Sequence, residues 1–596
     1  MEKMGHGRAA ERKRMRSEIW FNDPDEPAET AVYLERFGNY GITRGELQSG
    51  RPIIGIAQTG SDIVPCNRHH LALAERVKAG IRDAGGIPME FPVHPLQETV
   101  RRPTAALDRN LAYLGLVEIV AGYPFDGVVL TTGCDKTTPA CLMAAATVNI
   151  PAIVLSGGPM LNGYLNGQRA GSGMVLWEAR RKLAAGEITE SELVDQVVAA
   201  TPSAGHCNTM GTALSMNSLA EAMGMSLPGC AAIPAPYAER ATMAYHTGAR
   251  IVEMVREDLT PGKIMTREAF ENAIVVTSAI GGSTNCPPHI NAIAAHMGVD
   301  LDIEDWDHIG HGIGLMANLQ PAGKYLGEDF YRAGGVPAII GELLAAGKLC
   351  GEAMTATGET VSTSYGGWRT LERDVIRPYD DVLMEDAGFM VLSGNLFSSA
   401  IIKTSVISQE FSSRFLSSGD KSFTATAFVF DGPEDYRARI EDPHLAISEE
   451  SILVMRNAGP IGYPGSAEVV NMHPPGRLIQ QGVTMLPCLG DGRQSGTSDN
   501  PSILNVSPEA AAGGNLAIVQ TGDRIRVDLA ERSVQLLVDD GEIARRRGEL
   551  QAFVATSNTP WEELYRSHVT QLASGSYLDW AVNYRDVGEV KPRHSH

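Results

Sequence analysis

Three cysteines in this 596-residue chain fall where a soft metal could reach them. Cys66 lies in TGSDIVPCN, just past the apolar run PIIGIAQ. Cys134 lies in TTGCDKTTPA, just past GVVL, and Cys207 lies in SAGHCNTMGTA, a glycine-containing loop that runs into a helix signal. Three thiolates around one point suit a soft metal site or an iron–sulfur cluster. A missing fourth protein ligand leaves a coordination position open, which is how a metal acts as a Lewis acid. Asp135 and Lys136 follow Cys134 directly and set a hard oxygen donor and an amine beside that soft site. Each residue also has a plainer reading. A lone cysteine is most often a small buried hydrophobe, and Asp-Lys is an ordinary loop ion pair. A second dense stretch, GDGRQSGTSDNPSILNVSPEA (490–510), has glycines that allow close backbone approach and puts Ser495 in a turn. Within it, Ser507-Pro508-Glu509 reads as a helix start.

Composition narrows the chemistry. The net charge is −21, from 50 basic and 71 acidic residues, and beyond the N-terminal segment there is no basic run of the kind nucleic-acid binding needs. An anionic substrate would be repelled by that field, so local positive charge must hold it. No stretch approaches the ~18 apolar residues of a membrane helix. The start, MEKMGHGRAAERKRMRSE, is basic but lacks the apolar core of a secretory signal. It reads as a mobile or subunit-contacting arm, and the expectation is a cytoplasmic enzyme without nucleic-acid or membrane partners. The eight cysteines have no C-x-x-C pair and do not form the disulfide framework of a small secreted protein. A P-loop and a G-x-S-x-G elbow are both absent, and GHGIGL lacks the spacing and strand context of a dinucleotide site.

A chain of this length exceeds the roughly 250–300 residues at which a single core stops growing. Strand and helix signals alternate early: PIIGIAQTG, then NRHHLALAERVKAGIRDAGG, then IPMEFPV, and again FDGVVLTTG, TTPACLMAAATVN and IPAIVLSGG. That alternation predicts an α/β fold, a doubly wound parallel sheet with helices on both faces. After RDVIRPYDD the texture turns to strands and turns, with TGDRIRVDL and SVQLLVD as a hairpin, which predicts a mainly-β, barrel-like second domain. The expected organisation is an arm over residues 1–30, an α/β domain over 31–380 and a β-barrel-like domain with a C-terminal helical arm over 381–596.

Taken together, the segments TGSDIVPCN, TTGCDKTTPA, SGGPMLNG, SAGHCNTMGTA, GGSTN, PAGKYL, GNL, GYPGSAEVVNM, GDGRQSG and SPEAAAGG resemble the dihydroxy-acid and phosphogluconate dehydratase family. They run in the family's order from about residue 50 to 515, and the pattern is most similar to its sugar-acid branch, to the D-xylonate dehydratases first and the L-arabinonate dehydratases next. The resemblance implies conversion of an aldonic acid, D-xylonate first, to its 2-keto-3-deoxy acid. L-arabinonate, D-gluconate and D-galactonate are the alternatives, and a non-catalytic iron–sulfur protein is the alternative of another class. It implies a [2Fe-2S] cluster on Cys66, Cys134 and Cys207. It implies Mg²⁺ on Asp135, on Lys136 as a carbamate, on Glu468 and, in a more variable segment, on Glu98. It implies Ser495 as the base and a homodimer or homotetramer. Gly158, Thr284 and Thr497 are expected to line the substrate pocket. The other five cysteines match no ligand position, so core packing is the expectation for them. Gln494 stands where branched-chain members carry Phe, a polar change that suits a polyhydroxylated substrate.

Overall fold

The computed structural model describes residues 14–416 and 421–594. Four parallel strands, β1 (Ile53–Gln58), β2 (Ile87–Pro92), β3 (Gly127–Thr132) and β4 (Ala152–Ser156), form a sheet of order β2-β1-β3-β4. Every residue of β1, β3 and β4 is buried. Successive side chains of a strand point to opposite faces, so both faces of this sheet are covered. That is why these strands read as continuous apolar runs rather than as an alternation.

The covering helices include α1 (His70–Asp83), α2 (Ala105–Gly122), α3 (Thr137–Val148), α4 (Met174–Ala185), α5 (Thr212–Ala222), α6 (Ala238–Glu257) and α7 (Cys286–Met297). Helix α1 packs on α6, whereas α2 and α7 pack on α3, whose residues are all buried. Glycine makes the α1–α6 contact possible. A Cβ on Gly80 would lie 2.0 Å from the Tyr245 carbonyl oxygen, and one on Gly248 would lie 2.2 Å from that of Val77.

The expected N-terminal arm is not free over its described part. The Arg16 guanidinium donates to the carbonyls of Val120, Tyr123 and Phe125 at 3.2, 2.7 and 3.3 Å. The backbone N–H and hydroxyl of Ser17 both donate to Asp126 at 2.8 Å, and Asp126 also accepts from the Ile53 N–H. Residues 14–17 therefore dock beside the N-terminal ends of β1 and β3. Residues 1–13 lie outside the described residues. At the other terminus, His594 Nδ1 pairs with Glu29 of its own chain at 2.7 Å, and His596 is outside the described residues.

The later part of the chain contributes eight strands: β5 (Phe389–Leu392), β6 (Ser399–Lys403), β7 (Ser422–Asp431), β8 (Ser451–Arg456), β9 (Cys488–Gly490), β10 (Leu504–Ser507), β11 (Arg524–Asp528) and β12 (Ser533–Leu536). Two sheets result, of order β9-β8-β7-β11-β12 and β10-β6-β5. Bridges Leu489–Ile503 and Ser393–Ser533 tie their ends together, so the strands curl around a separate apolar cluster that includes Leu392, Ile402, Ala427, Val454 and Val527. The expected hairpin is β11–β12, with Val527 opposite Val534. The β7–β8 and β8–β9 pairs are parallel, so this region is mixed rather than a simple meander. Ser507-Pro508-Glu509 opens only a three-residue 3-10 turn, Ala510–Ala512. The Glu509 N–H donates to Gln571 at 2.7 Å and the Ala510 N–H to Asp491 at 2.9 Å, and Gly513 at φ 84° ends the turn. No helix among the described residues is long and apolar enough to cross a membrane.

The α1–α6 contact carries a direct test. Gly80→Ala forces two helix backbones apart, an overpacking that costs about 1–3 kcal/mol. Denaturant unfolding is expected to show a lower midpoint at unchanged slope.

Candidate metal and catalytic site

In an open parallel sheet, ligands gather beyond the carboxyl ends of the strands. The loops after β1, β2 and β3 carry Cys66, Glu98 and the Cys134-Asp135-Lys136 turn to that edge. Asn67 fixes two of these loops together by accepting the Cys134 N–H at 2.9 Å. A Cβ on Gly133 would lie 2.3 Å from that same Asn67 oxygen, so the turn needs glycine there. Thr137 donates to the Cys134 carbonyl at 2.7 Å and closes the turn into α3. Cys207 arrives from a different loop. Pro159 bridges His206, and the Gly158 carbonyl accepts the His206 N–H at 3.1 Å, which draws the segment before α5 to the end of β4.

The three sulfurs share one neighbourhood. The Cys134 thiol hydrogen-bonds the Cys66 sulfur, which holds Cys66 below its ordinary pKa and Cys134 well above. Gln97 Nε2 donates to Cys66 Sγ at 3.2 Å, and Ser172 donates to Cys207 Sγ at 3.2 Å. Burial, and then charge on Cys66, push the Cys207 thiol up.

Beside them lies a buried charge cluster. Lys136 has 0% side-chain exposure, and its Nζ stands 3.4 Å from Glu98, 3.5 Å from Asp135 and 3.6 Å from Glu468. Arg493 reaches Glu468 at 3.1 Å and Glu98 at 3.7 Å. Asn285 donates to Glu468 at 2.6 Å and accepts from Arg493 at 2.8 Å, while Thr104 donates to Glu98 at 2.7 Å. Burial works to depress the Lys136 ammonium, but the carboxylates, Glu98 first, outweigh it and hold its pKa above the ordinary value. Glu98 stays low against its own burial because Lys136 and Arg493 face it. Burial pushes Asp135 up and Glu468 up to about 7. Three carboxylates thus face two cations, and the enclosed site is one positive charge short.

Ser495 adjoins this cluster. The carbonyl of Gln494 accepts from Asn285 at 3.4 Å, and Gly496 presses on Ser283 and Thr212, where a Cβ would lie 2.5 and 2.7 Å away. Ser495 is half-buried, its N–H donates to Asn471 at 3.3 Å, and its Oγ lies 2.9 Å from Thr497 Oγ1. Thr284 is buried, with a hydroxyl that has no hydrogen-bond partner in the structure. Gly158 faces scaffold: a Cβ there would lie 2.1 Å from the Ile233 carbonyl oxygen and 2.8 Å from Arg240. Cys141, Cys230, Cys286 and Cys488 are buried, as core packing requires, and Cys350 is half-buried. Arg493 and Asn285 sit inside the motifs GDGRQSG and GGSTN, yet nothing in their types alone marked them as the partners of Glu468. Trp177, which donates to Thr497 at 2.9 Å, carried no sequence signal at all.

Among the described residues, no set of three or more His, Cys, Asp or Glu side chains stands in the arrangement of a metal site. The reason at the carboxylates is visible: an ammonium stands between them. The donor set nonetheless fits hard and soft metals side by side, with oxygen donors on one flank of the turn and sulfur donors on the other. Glu98 Oε2, buried and without a hydrogen bond, faces the Lys136 ammonium at 3.4 Å, the place a metal cation would take if that ammonium were lost.

Lys136→Met removes the charge that three buried carboxylates share. Leaving buried charge uncompensated costs about 3–5 kcal/mol. Urea unfolding of the metal-free variant is expected to show that loss at pH 8 and a partial recovery as acid protonates the carboxylates.

The sequence profile of the dihydroxy-acid/6-phosphogluconate dehydratase N-terminal region matches residues 51–364, and that of the C-terminal region matches residues 374–576. The chain is 60% identical to the D-xylonate dehydratase of Caulobacter vibrioides over 98% of both chains. It is 43% identical to the L-arabinonate dehydratase of Rhizobium leguminosarum bv. trifolii over 98% of this chain and 99% of that one. It is 39% identical to the dihydroxy-acid dehydratase of Caldanaerobacter subterraneus subsp. tengcongensis over 85% and 89%. The two profiles together cover most of the chain, and it belongs to the dihydroxy-acid/6-phosphogluconate dehydratase family.

Proposed function

We propose that this protein is an aldonic-acid dehydratase that converts D-xylonate to its 2-keto-3-deoxy acid and water. The observation that carries the substrate is the 60% identity to a D-xylonate dehydratase over 98% of both chains. The buried carboxylate cluster beside three cysteines supports the chemistry. In this reading Cys66, Cys134 and Cys207 hold a [2Fe-2S] cluster. Glu98, Asp135, Glu468 and Lys136, as its carbamate, hold Mg²⁺. When bound, these groups supply the positive charge that binds the substrate carboxylate and the electrophile that eases loss of the C3 hydroxyl.

The chain's own residues do the rest. Ionised Ser495 Oγ takes the C2 proton, the C2–C3 double bond forms as the C3–O bond breaks, and the hydroxide leaves as water with the proton that Ser495 then gives back. The enol gains a proton at C3 and loses its hydroxyl proton to give the keto acid. Asn285 and Arg493 hold Glu468 in place. Full enclosure of Lys136 strengthens its interactions with the carboxylates around it. The half-buried position of Ser495 leaves it open to substrate.

The test is keto-acid release by anaerobically prepared, iron-verified protein with Mg²⁺, from D-xylonate, L-arabinonate, D-gluconate and D-galactonate side by side. Highest kcat/KM on D-xylonate is expected; higher turnover of L-arabinonate overturns the substrate and keeps the chemistry. Ser495→Ala is expected to lose roughly 100- to 10,000-fold in kcat, the range of a general base, at unchanged iron content.

A further inference from the structure

We infer that Thr497 is a positioning residue that makes Ser495 a base, rather than a contact for the substrate; the inference rests on the reading of Ser495 given above. An ordinary serine hydroxyl is far too weak to take a proton from carbon. It becomes strong enough only if its ionised form is stabilised where it stands. The structure directs two donors at Ser495 Oγ, both from Thr497: the hydroxyl at 2.9 Å and the backbone N–H at 3.3 Å.

The direction of the hydroxyl bond follows from chemistry. An ionised Ser495 has no proton to give, so Thr497 must donate. Thr497 Oγ1 also accepts from Trp177 Nε1 at 2.9 Å, and an indole N–H can only donate. Trp177 takes one of the two lone pairs of the Thr497 hydroxyl, and the hydroxyl hydrogen goes to the ionised Ser495. The order is therefore Trp177 N–H to Thr497 O–H to Ser495 Oγ, three groups polarised in one sense.

The surrounding residues hold this order in place. Trp177 is 7% exposed in α4, with its ring 5.8 Å from that of His473. Gly173, just before α4 at φ 86°, leaves space that Thr497 fills: a Cβ there would lie 2.6 Å from Thr497 Oγ1. Gly211, on the segment that carries Cys207, abuts the Thr497 methyl, with 3.1 Å from an added Cβ to Thr497 Cγ2. Thr497 is thus held on three sides, with its hydroxyl committed to Trp177 and Ser495.

Thr497→Val keeps the shape and removes the hydroxyl; Thr497→Ser keeps the hydroxyl. Hydrogen bonds to a charged group are stronger than ordinary ones, and the expected loss in Thr497→Val is roughly 10- to 100-fold in kcat with KM unchanged. Proton removal then becomes slower relative to the other steps, so the isotope effect with C2-deuterated D-xylonate rises above the wild-type value. Thr497→Ser restores most of both, and Trp177→Phe gives a smaller loss of the same kind. A raised KM with an unchanged isotope effect in Thr497→Val overturns the inference and makes Thr497 a substrate contact. Wild-type kinetics in Thr497→Val also overturn it, provided Ser495→Ala is inactive; full turnover in Ser495→Ala overturns the base reading beneath it.

Discussion

A lysine with no solvent exposure, enclosed by three carboxylates, is the constraint on which the rest of this structure turns. Burying one charge without partners is prohibitive, and even a paired one is held only by near-ideal surroundings. The partners of Lys136 come from distant points of the chain: Glu98 after β2, Asp135 after β3, and Glu468 from the later, strand-rich part. Arg493, Asn285 and Thr104 then tie Glu98 and Glu468 to one another. The parallel sheet, the Gly133 turn and the loop at Glu468 must all be in register before these charges are compensated. The cluster therefore works as a lock between the early and late parts of the chain as well as a site for chemistry.

The same turn explains how soft and hard chemistry share one location. Cys134, Asp135 and Lys136 are consecutive, yet Cys134 faces the sulfurs while its two neighbours face the carboxylates. A protein with a net charge of −21 needs local positive charge for an acidic substrate. The metal-free site is one positive charge short, and burial, with Glu98 beside it, raises the pKa of the Glu468 carboxyl to about 7. A divalent cation among these oxygens removes that shortfall. In the proposed reading, a Lys136 carbamate would put a further oxygen ligand where the ammonium now stands.

Much of this was legible from residues alone, for physical reasons. Buried parallel strands must be apolar throughout, so β1, β3 and β4 announced themselves. Ligands at the carboxyl edge of such a sheet follow its strands, so Cys66 and Cys134 could be placed together before any coordinates. The helix signal at Ser507-Pro508-Glu509 yields only a three-residue turn, which Gly513 ends with a left-handed φ of 84°. Other features depended on contacts that no local pattern encodes. The basic N-terminal segment reads as a mobile or subunit-contacting arm, yet over its described part Arg16 finds five backbone carbonyls of its own chain, those of Val120, Ala121, Tyr123, Phe125 and Gly588. The parallel pairs among β7, β8 and β9 need crossovers whose presence a strand count does not reveal. Trp177 is an ordinary apolar residue of an amphipathic helix until the fold sets its N–H on Thr497.

We propose that Lys136 enters the working site as a carbamate ligand and not as the ammonium that fills the metal-free cluster. The most direct test of this proposal is the ¹³C NMR spectrum of Mg²⁺-loaded protein prepared in ¹³C-labelled bicarbonate. A carbamate carbon resonance that is present in the wild type and absent from Lys136→Arg is the predicted result. A fully active, Mg²⁺-loaded wild type without that resonance would contradict the account.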